Sequence, residues 1–319
     1  MRVATNGIGI SGLTGGAAQA VLIAGPTASG KSALALRTAE ARGGVVVNAD
    51  SMQVYSVLDV LTARPSADEM RRVPHRLYGH VDPAEPYSTG AWLADVGRLL
   101  SDPGIAGKPL VFVGGTGLYF RALLGGLSAM PDIPDTVRQR WRYRLTEEGA
   151  SGLHRMLRRQ DPDAAMAIKP ADGQRIVRAL EVLEVSGRSI LDWQAERGAP
   201  LVDPATAKRI IIEPDRAWLA RRIEARFDAM LANGAVGEVR ALLARGLAPA
   251  MPAMKAIGVG QLRRAIAGEI SLDEAATLAK TASRQYAKRQ MTWFRTQCGN
   301  EWTRMAAGAN GETEHGTLT

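Results

Sequence analysis

Residues 20–32 read AVLIAGPTASGKS, an apolar run that passes directly into a glycine-rich loop. Ala20–Gly25 is typical of a buried strand, and Gly25–Ser32 matches the pattern G-x-x-x-x-G-K-[ST] in full. In such a loop, backbone N–H groups and the N-terminus of the next helix face phosphate oxygens. Lys31 adds a positive charge, and the Ser32 hydroxyl is the expected Mg²⁺ ligand. The motif predicts an oligophosphate site made by Gly25, Pro26, Thr27, Ala28, Ser29, Gly30, Lys31 and Ser32.

Three further apolar runs predict buried strands. They are Val45–Asp50, Pro109–Gly115 and Arg209–Glu213. A helical pattern over Ser32–Ala41 lies between the first and second predicted strands, and another over Gly90–Ser101 lies between the second and third. This alternation predicts an α/β fold with a parallel sheet, a P-loop NTPase-like core. Residues 131–200 lack strand-like runs and contain the helical stretches Thr136–Glu148, Ala150–Gln160 and Ala171–Ser186, which predicts an all-helical insertion domain. Helical patterns return at Trp218–Arg245 and Ser271–Gln297.

These patterns divide the chain into five parts. Residues 1–19, rich in small residues and without an apolar segment, are expected to be a disordered extension rather than a signal peptide. The core is expected at 20–126 and 201–303, the helical insertion at 127–200, and a disordered tail at 304–319.

Composition excludes several classes of protein. Apolar residues make up 46% of the 319 residues, which excludes disorder and a fibrous class for most of the chain. The single cysteine excludes an internal disulfide and a cysteine-based zinc site, and it fits a reducing cytoplasm. No run approaches the roughly 18–20 apolar residues of a membrane span.

The net charge of +8 is concentrated in one region of the chain. Residues 131–300 contain 28 basic and 20 acidic residues, whereas residues 1–130 contain 11 and 9. The asymmetry fits a polyanionic partner, and it fits an ordinary solvated basic surface equally well.

Asp50 ends the second predicted strand. Ligands of open α/β sheets bind at the carboxyl ends of the strands, so Asp50 is expected near the phosphate loop. Three roles are open for it: a Mg²⁺ ligand, a general base toward an acceptor, or a cap on the next segment.

The third strand in the sequence ends in Gly114-Gly115-Thr116-Gly117 and lacks the acidic residue expected of an ATPase at this place. The glycines would let another molecule approach the backbone, and Thr116 offers a hydroxyl; a plain tight turn is the alternative.

GPTASGKS, NADSMQVY and GGTGLYFRALL, in this order, resemble the tRNA dimethylallyltransferase (tRNA isopentenyltransferase) family. The resemblance extends from about residue 20 to residue 302. It includes QRIVRALE at 174–181, the segment from Asp215-Arg216 through Arg226, Met230 and Gly234, and SRQYAKRQMTWFR at 283–295. Val259 and Leu61 depart from the family pattern, which usually has an aromatic residue and a glycine at these positions.

The resemblance implies a reaction and its catalytic residues. The family transfers a dimethylallyl group from dimethylallyl diphosphate to the N6 amine of the adenosine at position 37 of tRNA and releases diphosphate. Asp50 would accept the amine proton, Thr116 would hold the adenine, and Thr27 would line the site. Arg226 would join the phosphate loop in binding diphosphate, with Mg²⁺ as cofactor.

The resemblance also implies contacts with the anticodon stem-loop of tRNA. Arginines and lysines spaced three or four apart on helices suit a phosphate backbone, although each alone fits a solvated surface. The expected tRNA-binding residues are Asp50, Ser51, Met52, Gln53, Thr116, Arg138, Gln174, Arg175, Ile176, Val177, Arg178, Arg284, Gln285, Lys288 and Arg289, within segments that include Arg284–Gln290.

Other functions remain open from the residues alone. A P-loop kinase of small molecules and a prenyltransferase acting on free adenine nucleotides would share the phosphate loop, but neither needs a basic helical insertion. A non-catalytic RNA-binding module leaves the complete phosphate loop beside Asp50 unexplained. The sequence indicates no membrane contact and no obligate protein partner, so we expect a cytoplasmic monomer.

Overall fold

The computed structural model describes residues 20–196 and 198–307. The extension expected at 1–19 lies outside the described residues, and so does the expected tail from residue 308 onward. Residues 304–307 are described, and here the expectation of a disordered tail is wrong: they complete a strand. This strand pairs with its neighbour over five residues and buries Ala307 against the sheet core, which fixes its conformation.

The described chain forms a six-stranded parallel sheet in the order β3-β2-β4-β1-β5-β6. The strands are β1 (Val21–Ala24), β2 (Val45–Asn48), β3 (His75–Arg76), β4 (Leu110–Gly114), β5 (Lys208–Pro214) and β6 (Thr303–Ala307). The four predicted strands are confirmed as β1, β2, β4 and β5, with bounds differing by one or two residues. The two edge strands were missed because neither is a continuous apolar run.

Helices connect and cover the strands. They are α1 (Lys31–Arg42), α2 (Ala67–Arg72), α3 (Thr89–Leu100), α4 (Gly117–Gly125), α5 (Asp135–Gln160), α6 (Pro162–Ala167), α7 (Gly173–Ser186), α8 (Ile190–Ala195), α9 (Arg216–Ala232), α10 (Ala235–Leu243), α11 (Val259–Ile266) and α12 (Leu272–Gln297), with a 3₁₀ turn at Pro252–Lys255. The pattern at 218–245 is divided between α9 and α10, because Gly234 adopts φ 96° and ends the helical path. No helix in the described ranges is both long and apolar enough to cross a membrane.

The chain separates into two compact units, one of Met1–Arg121 with Val202–Thr319 and one of Ala122–Leu201. In the first unit, the register of the parallel strands fixes which loops meet. Ala24 pairs with Gly114 and Asn48 pairs with Val113. The phosphate loop, Asp50 and the Gly115–Gly117 turn therefore leave the same edge of the sheet.

The second unit is helical throughout its regular structure. Trp141, Leu153, Leu157, Ile176 and Leu180 are at most 5% exposed and form its core between α5 and α7. The two predicted helical pieces in α5 meet at Gly149, whose backbone (φ 67°, ψ 167°) leaves the helical region and kinks the element. The unit begins five residues before the predicted insertion, at Ala122.

Candidate active site

The phosphate loop closes between β1 and α1 through two left-handed residues, Gly30 at φ 90° and Ala28 at φ 62°. A non-glycine residue rarely adopts this conformation without support. Arg222 on α9 provides such support, because its Nε donates a hydrogen bond of 3.0 Å to the Ala28 carbonyl oxygen. Lys31 Nζ donates to the Pro26 carbonyl oxygen at 3.1 Å and so lies across the mouth of the loop.

Two cations, Lys31 and Arg226, lie together at this loop near Asp50. Burial lowers the pKa of Lys31 to about 8; Asp50 opposes the shift and Arg226 adds to it. Burial also lowers the pKa of Arg226, and Asp50 again opposes this shift. Within the described ranges, neither side chain forms an ion pair; Arg226 Nη2 reaches only the Thr62 carbonyl oxygen at 3.4 Å, and its Nε has no partner. Partly buried positive charges left without an ion pair favour binding of an anion.

Asp50 is held from both sides by the buried Asn48. The Asp50 N–H donates to Asn48 Oδ1 at 2.8 Å, and Asn48 Nδ2 donates to the Asp50 carbonyl oxygen at 2.9 Å. Asp50 Oδ1 accepts the Met52 N–H at 3.0 Å, so one carboxylate oxygen does cap the next segment. Asp50 Oδ2 faces the Gly115 side, where a Cβ on Gly115 would lie 3.4 Å from it. Capping therefore leaves one carboxylate oxygen for chemistry.

Thr116 joins the turn after β4 to the Asp50 segment. Its Oγ1 accepts the Ser51 N–H at 3.0 Å and donates to Ser51 Oγ at 3.3 Å, while its own N–H donates to the Ala49 carbonyl oxygen at 3.3 Å. The close approach requires Gly114, because a Cβ there would lie 1.9 Å from the Ala49 carbonyl oxygen. The Thr116 hydroxyl thus orients the loop that carries Asp50.

Three tyrosines, Tyr78, Tyr119 and Tyr286, are near enough to Asp50 to sense its charge. Burial raises the pKa of Tyr78, Tyr119 and Tyr286, and in each case the negative charge of Asp50 raises it further. Their hydroxyl groups therefore stay protonated and uncharged across the neutral range. These tyrosines have no predicted role from the sequence, because tyrosines at unrelated positions along a chain give no spacing signal.

Gln290 on α12 was expected in a tRNA-contacting segment, and the structure instead buries it to 5% exposure. The Thr27 N–H donates to Gln290 Oε1 at 2.9 Å, and Gln290 Nε2 donates to the Gly115 carbonyl oxygen at 3.0 Å. The side chain therefore bridges the phosphate loop and the turn after β4.

Comparisons with known proteins show the family of this chain. The model of the family described as IPP transferase matches residues 53–297, and that described as isopentenyl transferase matches residues 18–82. A tRNA dimethylallyltransferase from Mesorhizobium japonicum is 64% identical over 299 residues, which are 94% of this chain and 93% of the relative. The chain belongs to the IPP transferase family.

Solved structures of IPP transferases share the fold. The full-length tRNA isopentenylpyrophosphate transferase from Bacillus halodurans has a TM-score of 0.65 and 32% identity, with 92% of this chain and 91% of that one covered. A eukaryotic dimethylallyltransferase described as acting on tRNA has a TM-score of 0.75 and 25% identity, and the match covers 92% of this chain and 75% of that one.

In this IPP transferase, the residues of α12 expected to contact tRNA differ in whether they already have an ion-pair partner. Lys288 and Arg289 are exposed, and the Arg289 guanidinium lies 5.7 Å from the centre of the Tyr286 ring. Gln285 is also exposed. Arg284 pairs with Glu224 Oε1 at 2.7 Å, so contact with RNA requires exchange of this partner.

The helical unit of the IPP transferase presents some of its predicted RNA contacts and buries others. Gln174 and Arg175 are exposed, and Arg175 and Arg178 pair with Asp172 and Glu181. Arg138, on α5, is partly exposed and has no carboxylate partner among the described residues. The prediction is wrong for Ile176 and Val177, which are 0% and 6% exposed, because they occupy the inner face of α7.

Met52 and Gln53 follow Asp50 and face inward. Met52 packs against the hydrophobic cluster that contains Val54 and Tyr55. Gln53 Nε2 donates at 2.9 Å to the carbonyl oxygens of both Thr62 and Ala63, which leaves its Oε1 as the free end of the amide.

The donor set at the start of α1 fits Mg²⁺ when diphosphate is bound. Ser32 is exposed, and its hydroxyl makes no hydrogen bond with the described residues. Mg²⁺ commonly takes one or two protein oxygens together with phosphate oxygens and water. Across the described ranges, no group of three or more His, Cys, Asp or Glu side chains could hold a metal ion. The ion would therefore be held by Ser32 and the ligand jointly.

Proposed function

We propose that this protein transfers a dimethylallyl group from dimethylallyl diphosphate to the exocyclic N6 amine of the adenosine next to the anticodon of tRNA. The observation that carries the proposal is the pair of partly buried cations, Lys31 and Arg226, that interact with Asp50 at the edge of the sheet and lack an ion-pair partner within the described chain. Such a site combines an anion-binding half with a proton-accepting half. The names of the relatives describe the same reaction class.

The donor half stabilises the departing diphosphate. As the allylic C–O bond breaks, its electron pair goes to the diphosphate oxygen. Backbone N–H groups of the phosphate loop, Lys31 and Arg226 lie ready to stabilise this developing charge. Mg²⁺, when held by Ser32 and the phosphate oxygens, would supply further positive charge to the leaving group.

The acceptor half removes one proton. The adenine nitrogen forms the new C–N bond, and Asp50 Oδ2 accepts the proton that this nitrogen loses. The Oδ1 atom keeps its hydrogen bond with the Met52 N–H, which holds the carboxylate in place. Thr116 and Thr27 would line the site, Thr116 through the lone pair not used with Ser51.

The tRNA would be bound by cations on each unit. On the first unit these are Lys288 and Arg289, with Arg284 after exchange of Glu224; on the helical unit they are Arg138, Arg175 and Arg178, with Gln174 beside them. An anticodon loop suits the site, because a base in a loop leaves its stack at a lower free-energy cost than a base in a duplex. A tRNA substrate also agrees with a cytoplasmic location.

One assay separates this proposal from its alternatives. The protein is incubated with Mg²⁺ and labelled dimethylallyl diphosphate, together with either tRNA or AMP, and in a parallel arm with labelled ATP and a small alcohol. Transfer of label to tRNA alone supports the proposal. Label on AMP alone indicates an adenylate prenyltransferase, label moving from ATP to the alcohol indicates a kinase, and tRNA binding without any transfer indicates a binding module.

A further inference from the structure

The Gln290 side chain connects two loops that lie far apart in the sequence. The phosphate loop follows β1, and the Gly115–Gly117 turn follows β4, its neighbour in the sheet. Gln290 accepts from Thr27 in the first loop at 2.9 Å and donates to Gly115 in the second at 3.0 Å. Gln290 is 5% exposed; its hydrogen bond to Gly115 is buried and its hydrogen bond from Thr27 is partly buried.

The chemistry of the two contacts permits only one orientation of the amide. A backbone N–H only donates and a carbonyl oxygen only accepts, so Oε1 must face Thr27 and Nε2 must face Gly115. Gly115 has no side chain in the way; a Cβ there would lie 2.0 Å from Gln290 Nε2. A glutamate would lack the donor and a methionine would lack both groups, so neither could make the bridge.

The bridge extends to the proposed general base. Gly115 is followed by Thr116, whose hydroxyl holds the Ser51 N–H at 3.0 Å, and Ser51 follows Asp50. One side chain therefore links the loop proposed to hold the donor with the segment proposed to accept the proton. It belongs to α12, which also carries Lys288 and Arg289.

We propose that Gln290 is a positioning residue that sets the distance between the diphosphate-binding loop and the acceptor side of the site. This inference rests on the proposed function. Transfer requires the reacting carbon and nitrogen about 3–3.5 Å apart and aligned, and a misplacement of about 1 Å costs on the order of 100-fold in rate. Gln290 would touch neither substrate and would act through its hydrogen bonds with Thr27 and Gly115.

The test is single-turnover transfer at saturating enzyme and donor, compared among the unsubstituted protein, Gln290→Met and Gln290→Glu. The rate constant reports alignment, whereas the amplitude reports the fraction of folded enzyme. We expect both variants to lower the rate constant about 100-fold, with the dissociation constant for tRNA changed less than about threefold. Gln297→Met, at an exposed glutamine near the end of the same helix, is the matched control.

A lower amplitude with an unchanged rate constant would overturn the inference and leave Gln290 a purely structural residue. If the unsubstituted protein transfers nothing to tRNA, the proposed function itself fails, and hydrogen exchange then decides about the bridge. Faster exchange in both loops, residues 25–32 and 113–118, in Gln290→Met but not in Gln297→Met supports it. Unchanged exchange in either loop contradicts it.

Discussion

Asp50 combines two tasks in one side chain. Its Oδ1 caps the Met52 N–H at 3.0 Å, and its Oδ2 lies on the Gly115 side of the site. Asparagine has the same shape and can still accept the Met52 N–H, but it cannot take a proton. This difference separates the structural task from the chemical one.

For Asp50→Asn, we expect the single-turnover rate of transfer to tRNA to fall about 10²–10⁴-fold. Binding of tRNA, measured by filter retention, should stay within about threefold, because the capping bond persists. The unfolding midpoint of the variant serves as the control for the fold. A rate within tenfold of the unsubstituted protein would contradict the assignment of Asp50 as the base.

Lys31 gives the proposed donor site a pH dependence with a definite sign. The folded protein loses the Lys31 proton near pH 8, because burial lowers this pKa. A diphosphate favours the protonated form, so affinity is greatest below pH 8 and falls as the pH rises above it. The diphosphate itself stays fully ionised over this range.

We expect the dissociation constant for dimethylallyl diphosphate, measured by calorimetry, to rise by up to about tenfold per pH unit above pH 8, the limit for one linked proton. Lys31→Met should bind more weakly at pH 7 and lose this dependence. An equal slope in the variant would assign the titration to a different group.

At the scale of elements, the site depends on how closely β4 and its turn approach the segment after β2. Gly114 permits this approach, since a Cβ there would lie 1.9 Å from the Ala49 carbonyl oxygen and 2.1 Å from the Ala49 carbonyl carbon. The obstructing atoms belong to backbone, which cannot rotate away. A side chain at this position must therefore separate the two segments.

Gly114→Ala should lower the free energy of unfolding by about 1–3 kcal/mol, the usual cost of overpacking, as measured by urea denaturation. Gly97→Ala is the matched control, because this glycine lies inside α3 with open space around its Cα. An alanine there should be neutral or stabilise the protein by up to about 1 kcal/mol. Equal unfolding curves for both variants would show that the β4 turn can relax.

The two departures from the expected family pattern, Val259 and Leu61, lie in the same hydrophobic cluster. Val259, which replaces the usual aromatic residue, is 1% exposed at the start of α11. Leu61, which replaces a glycine, belongs to the same hydrophobic cluster and lies 2.7 Å from a Cβ built on Gly258.

At the scale of the whole molecule, the net positive charge is unequal between the two units: the helical unit contains 12 basic and 11 acidic residues, whereas the sheet-containing unit contains 28 and 21. Arg138 on the helical unit and Lys288 on the sheet-containing unit form no ion pair within the described ranges, unlike Arg284. Unpaired cations bind phosphate without first giving up a partner. They are therefore the strongest candidates for contacts with the tRNA backbone.

We expect Arg138→Ala and Lys288→Ala each to weaken tRNA binding and to reduce the slope of log affinity against log salt by about 0.7–0.9. The affinity for dimethylallyl diphosphate should not change. Arg155→Ala, an exposed cation on the same helix as Arg138 and outside the predicted contacts, is the control. An unchanged slope for either variant would show that the substituted residue does not contact the tRNA phosphates.

The sequence by itself determined the phosphate loop, the four buried strands, the helical insertion and the family, because these features lie in contiguous segments with local patterns. It also predicted Asp50 and Thr116, since the carboxyl ends of parallel strands meet at one edge. Only the tertiary structure decided what depends on packing between distant segments. It buried Ile176, Val177 and Gln290, paired Arg284 with Glu224, and added the edge strand at Thr303–Ala307. Local spacing fixes the direction of a side chain on its helix, whereas the neighbour that it meets is set by the fold.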